Sequence, residues 1–125
     1  MDVTPQVPAG RQLIQAYGAG GFRIANQRHE GSVLVFPERT IAWLAATFDA
    51  ASLDNMVEIA AAQPRPEILL VGTGARSRPI VPAMRAHFRA LGIMVDAMDT
   101  GAACRTYNIL LAEDRRVAAA LLPAG

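Results

Sequence analysis

Apolar residues fall in short runs separated by glycine and proline. The runs read first as strands, then as strands alternating with helices. Residues 13–17 form one candidate strand, followed by Gly18, Gly20 and Gly21, a spacing that suits a turn needing positive φ. Residues 22–25 alternate apolar and polar as a half-buried strand does. Residues 26–31 are polar and predict a turn. Residues 32–36 are a continuous apolar run ending at Pro37, so residues 22–36 predict a β-hairpin. Residues 40–44 fit a strand or one helical turn, and the strand is the preferred reading. From Ser52, a good N-cap, Leu53, Met56, Val57 and Ala60 recur at helical spacing until Pro64 and Pro66 end the pattern.

The second half reads β-α-β-α-β. Residues 67–71 are an apolar strand entering Gly72-Thr73-Gly74. Residues 79–91 predict a helix in which Ile80, Val81, Met84, Phe88 and Leu91 make one stripe and Arg85 and Arg89 face away, with Gly92 at the C′ position. Residues 93–95 form the next strand. Asp99 or Thr100 caps a helix over residues 102–111, and residues 117–122 make a last apolar strand. Buried runs alternating with helices imply a largely parallel sheet covered by helices, with the antiparallel first half extending it. The predicted class is a single three-layer α/β domain around a mixed, partly parallel sheet. It spans residues 11–125 and follows a flexible N-terminal arm, residues 1–10.

Composition narrows the function classes. Hydrophobic residues make up 52% of the 125, enough for a real core and too many for intrinsic disorder. The net charge of +1 gives no concentrated basic surface, so no nucleic-acid partner is expected. All twelve basic residues are Arg, consistent with a GC-rich genome or with anion recognition by the guanidinium fork. The single cysteine, Cys104, cannot form an internal disulfide and suggests a reducing compartment. The N-terminal residues do not read as a signal peptide, and the longest apolar runs, 68–71 and 117–122, are far too short to span a bilayer. A cytoplasmic bacterial protein without a stable membrane anchor is expected.

Candidate chemistry gathers at strand carboxyl ends, where open α/β sheets bind ligands. Gly72-Thr73-Gly74 follows a strand as a phosphate loop would, but the third glycine of the dinucleotide fingerprint is missing and no Lys exists for a Walker motif. The two glycines serve either a ligand or a tight turn. Arg76 and Arg78 follow in the same loop, as anion-holding groups or as solvated charges. Residues 99–108 lie on the same rim if the strands pair in parallel. Asp99 and Thr100 suit a cap, while Arg105, Tyr107 and Asn108 are candidates to face a cleft or partner. Cys104 beside Arg105 is either a low-pKa thiol or a packed, inert one. Its use as a nucleophile would need a base, and His29 and His87 are not placed near it by sequence. No His, Cys or carboxylate cluster has metal-ligand spacing. Trp43 and Tyr17 are candidates for the core, and an exposed Trp would mark an interface. The residues offer no catalytic constellation. They offer instead a binding rim of Gly72, Thr73, Gly74, Arg76, Arg78, Asp99, Thr100, Arg105, Tyr107 and Asn108, suited to a small anion or metabolite.

An ordered set of these motifs resembles the Mth938-like family, long catalogued as a domain of unknown function. The set comprises Tyr17-Gly18-Ala19-Gly20-Gly21-Phe22-Arg23-Ile24, Gly31-Ser32-Val33-Leu34, Trp43 and Leu70-Val71-Gly72-Thr73-Gly74. It continues with Met98-Asp99-Thr100, Cys104-Arg105-Thr106-Tyr107-Asn108 and the stretch from Glu113-Asp114-Arg115-Arg116 to Leu121. The likeness covers about residues 13–123. It implies a three-layer α/β fold, no established activity and no cofactor. Through a mitochondrial member, an assembly factor of respiratory complex I, it implies protein partners among complex I subunits or membrane-insertion machinery. It leaves a homodimer open and gives no catalytic residues to carry over.

Overall fold

The computed structural model describes residues 11–124. Eight strands and three α-helices follow in the order β1 (Ile14–Gly18), β2 (Gly21–Ile24), β3 (Gln27–Glu30), β4 (Val33–Phe36), β5 (Arg39–Ala42), α1 (Val57–Ala61), β6 (Ile68–Gly72), α2 (Pro82–Ala90), β7 (Met94–Met98), α3 (Thr100–Ala112) and β8 (Val117–Leu121). Five strands make the central sheet in the order β5-β4-β8-β6-β7. The β6–β7 and β6–β8 pairs are parallel, and β4 runs antiparallel to both β5 and β8. The β-α-β-α-β reading of the second half holds, and the sheet is mixed as expected.

Alternation along the central strands divides the core in two. Leu34, Phe36, Leu69, Val71, Ala118 and Ala120 point to one face, under α1, α2 and the buried Trp43. Val33, Val35, Leu70, Val117, Ala119 and Leu121 point to the other, under α3 and the small sheet. Successive strand residues face opposite sides, so a strand buried on both faces must be apolar throughout. Every residue of β8 is buried, and alanines fill three of its five positions, which lets both layers approach closely.

Several expectations need correction. The predicted hairpin over residues 22–36 is not formed. Instead β2 pairs with β1 and β3 in a separate three-stranded sheet, while β4 belongs to the central one. The predicted polar turn at 26–31 is mostly β3, an edge strand whose residues all lie exposed or half-exposed. A strand with no core face carries no apolar alternation, so the period-2 signal is absent. The reversal itself is Ala25-Asn26, both left-handed at φ 49° and 68°. Gln15 holds it, accepting from the Asn26 amide and donating to the Asn26 side chain, each at 2.7 Å.

The helix expected from Ser52 starts late. Residues Leu53–Asn55 form a 3-10 turn, and α1 begins at Val57. Met56, Ile59 and Ala62 are buried, while Val57 is exposed. A 3-10 turn has three residues per turn, so entering through it shifts the buried stripe from the predicted Leu53-Met56-Val57-Ala60 to a spacing of three. The helix expected at 79–91 is Pro82–Ala90. Val81, placed in its apolar stripe, is exposed as its N-cap. Arg85 is half-buried, its guanidinium donating to the Val95 carbonyl on edge strand β7. The flexible arm expected at 1–10 lies outside the described residues.

Candidate functional site at the carboxyl ends of the strands

Parallel pairing of β6 with β7 and β8 brings the Gly72 loop and the start of α3 together, as the sequence implied. Thr100 ties them. Its amide donates to the Gly74 carbonyl at 2.9 Å, and its hydroxyl accepts from the Gly74 amide at 2.9 Å and donates to the Leu122 carbonyl at 2.6 Å. Thr100 is fully buried, so each of these bonds satisfies a group that water cannot reach. Gly72 permits the closeness: a Cβ there would lie 2.9 Å from Leu121 Cδ2 and 3.1 Å from the Thr100 Cα.

The loop after Gly72 folds on itself. The Thr73 hydroxyl accepts from the Arg78 amide at 3.1 Å and is shared as donor between the Arg76 and Met98 carbonyls. Asp99 caps α3 by accepting from the Ala102 amide at 2.9 Å. Two first-turn amides of α3, which a bound anion would use, thus already donate to Gly74 and Asp99.

The three rim arginines diverge. Arg78 turns toward the first core face, with its guanidinium 4.5 Å from the Phe48 ring centroid and 3.2 Å from Asp49. Arg76 is exposed in the loop. Arg105 lies on α3, over the other face, and donates to the Tyr17 hydroxyl at 3.3 Å. Tyr107, expected as a cleft or partner residue, is fully buried in the second core, its hydroxyl without a hydrogen-bond partner among the described residues. Burial pushes its phenol well above the usual tyrosine range, against the nearby positive charge of Arg11. Asn108 is half-buried and serves β1. Its amide group accepts from the Ile14 N–H at 2.9 Å and donates to the Ile14 carbonyl at 2.8 Å, standing in for a neighbouring strand.

Cys104 is 2% exposed, and burial lifts its thiol from 9.0 to about 12, outweighing the opposing pull of Arg105. At neutral pH almost none is thiolate, the form a nucleophile requires. Of the two aromatic residues considered for the core, Trp43 is buried, with its indole N–H donating to Asn55 at 2.9 Å, while Tyr17 is 41% exposed.

A face of α3 also reaches solvent. Tyr17 stands over the start of the helix, close enough to Gly101 that a Cβ there would lie 2.6 Å from its hydroxyl. Arg105 and Ile109 follow at i, i+4 on the same side, Ile109 being 59% exposed. The sequence reading missed Tyr17 and Ile109 as surface groups. The available signal was an isoleucine four residues after an arginine, off the stripe of Ala103, Cys104, Tyr107 and Leu111.

This architecture, a mixed five-stranded sheet between a helical layer and a layer of one helix plus a small sheet, defines a Mth938-like α/β domain. Residues 14–122 match the model of DUF498, a protein of unknown function (DUF498/DUF598), and the chain belongs to that family. An uncharacterized protein of Rhodobacter capsulatus is 37% identical over 123 residues, covering 97% of this chain and 94% of that protein. NADH dehydrogenase [ubiquinone] 1 alpha subcomplex assembly factor 3 of Xenopus tropicalis is 34% identical over 111 residues, covering 89% of this chain. The chain spans only 61% of that assembly factor's length. The solution structure of a Mth938-like domain from Bordetella pertussis superposes with a TM-score of 0.84 at 31% identity, covering 100% of this chain and 94% of that one. Among the described residues no helix is long and apolar enough to cross a membrane.

Proposed function

We propose that the chain is a non-enzymatic binding protein that assists assembly or membrane insertion of a respiratory complex of the complex I type. It acts from the bacterial cytoplasm and reaches the inner membrane only through its partners. The observation that carries the reading is the exposed face made by Arg105 and Ile109 of α3 with Tyr17 of β1. Tyrosine and arginine are the side chains that dominate protein interfaces, because they combine large contact area with directional hydrogen bonds. Here Arg105 and Ile109 stand on a helix whose opposite side is locked into the core, beside Tyr17 on β1, so docking costs little conformational entropy. The likeness to assembly factor 3 supplies the class of partner.

The test is co-purification from cells carrying the tagged chain at its native level. Complex I subunits or components of the insertion machinery should be recovered with the wild type. They should be lost with the double variant Arg105→Ala, Ile109→Asp, whose exposed positions leave the fold intact. Wild-type protein that recovers neither class of partner, together with normal complex I in a deletion strain, would overturn the reading.

A further inference from the structure

At the opposite end of the central sheet a cleft of about 590 Å³ opens where the β4–β5 turn, the end of α1 and the start of β8 meet. This volume is within the range of small-molecule sites, roughly 300–1,000 Å³. Its accessible apolar wall is Pro37, Ala61 and Pro64, with buried Phe36 behind them, and four arginines line it: Arg11, Arg39, Arg115 and Arg116. We propose that this cleft binds a monoanionic organic acid, with its carboxylate among the arginines and its apolar body against Pro37, Ala61 and Pro64.

Charge accounting sets the anion. Arg11 is 2.6 Å from Asp114, and Glu67 serves both Arg115 at 2.9 Å and Arg116 at 3.9 Å. Glu38 also lines the cleft. Four guanidinium groups against Asp114, Glu67 and Glu38 leave one positive charge, which one carboxylate neutralises. Arg39 is the group placed to receive it. Its guanidinium lies 4.8 Å from the Phe36 ring centroid, and it has no carboxylate partner among the described residues. An arginine placed over an aromatic ring face still has N–H groups to offer a carboxylate. Arg11 adds a preorganised neighbour: its side chain is 19% exposed, and its buried Nε has no hydrogen-bond partner among the described residues. The apolar wall is needed as well, because arginines on an open surface would hold a small anion only weakly against water.

The site shares no residue with the α3 docking face, so either can fail alone. The test is an amide-resonance titration of the ¹⁵N-labelled chain with octanoate, octanol and acetate at neutral pH. Octanoate should shift the signals of Arg39, Arg116 and Val117 at millimolar concentration. Octanol, lacking the charge, and acetate, lacking the body, should each bind about tenfold more weakly or worse. Arg39→Gln should weaken octanoate about tenfold. Ala61→Trp, at an exposed position lining the cleft, should block it without changing the charges. Equal binding of octanol, equal binding of acetate, or no octanoate shift at the cleft would each overturn the proposal. So would octanoate binding that Arg39→Gln and Ala61→Trp leave unchanged.

Discussion

The two ends of the central sheet both carry conspicuous polar residues, but they treat them differently. At the carboxyl ends of β6 and β7, the Gly72 loop and the start of α3 spend their hydrogen-bonding capacity on each other. Thr100 closes onto Gly74 and Leu122, Thr73 onto its own loop, Asp99 onto Ala102 and Asn108 onto Ile14. At the far end, arginines converge on an open cleft with more cationic than anionic groups around it. A glycine-rich loop after a strand thus need not cradle a ligand. Here it lets a helix start pack hard against a sheet edge, and what looks like binding chemistry holds the layers together.

The sharpest way to break this contrast is Thr100→Val. The substitution keeps the shape and removes the hydroxyl, leaving the Gly74 amide and the Leu122 carbonyl without their partner. Unsatisfied buried groups cost about 1–3 kcal/mol each, so the variant should lose about 2–4 kcal/mol. Urea unfolding with an unchanged slope would measure it. Thr100→Ser, which restores the hydroxyl, should recover most of the loss. A loss under about 1 kcal/mol would mean that water replaces the bonds and that the rim is more open than its geometry implies.

Per pH unit, alkaline titration gives a smaller effect from the same region. Burial raises the Cys104 pKa above its ordinary 9.0 to about 12. Between these values the unfolded chain has lost the proton and the folded chain keeps it. Stability from this thiol is therefore fully present below pH 9 and declines as pH rises toward 12. The decline is at most about 1.4 kcal/mol per pH unit for one group. Tyr107 contributes in the same direction above its ordinary value of 10.0. Cys104→Ala should flatten the decline just above pH 9 while lowering stability at every pH through its small cavity. An unchanged slope would show that the thiol reaches solvent.

How far the sequence disclosed this follows from what each residue touches. The strands of the central sheet were legible because burial on both faces forces unbroken apolar runs, as in Val33–Phe36 and Val117–Leu121. The Gln27–Glu30 strand was not, because an exposed edge strand has no core face to impose alternation. The rim was legible as a place, since parallel pairing fixes which loops share an end of the sheet. The role of its residues was not: Tyr107 and Asn108 look equally fit for a ligand or a core until the small sheet is known to pack over α3. The far-end cleft was invisible because its arginines, at positions 11, 39, 115 and 116, meet only through long-range packing.

The smallest expected effect compares two arginines that each lie over a phenylalanine, one at either end. Arg78 at the rim has the Phe48 ring at 4.5 Å and Asp49 at 3.2 Å. Arg39 in the cleft has the Phe36 ring at 4.8 Å and no such carboxylate. Arg78→Gln should cost at most about 1 kcal/mol, because both partners sit near solvent, and added salt should shrink that cost by screening the ion pair. Arg39→Gln loses the same kind of ring contact but also relieves repulsion from Arg11, Arg115 and Arg116. Its net effect on stability should lie within about 0.5 kcal/mol of zero, and salt should move it toward greater destabilisation as the relieved repulsion is screened. Opposite salt trends at the two ends would identify one arginine as held by the fold's own charges and the other as poised against them. Identical trends would erase the electrostatic difference between the rim and the cleft.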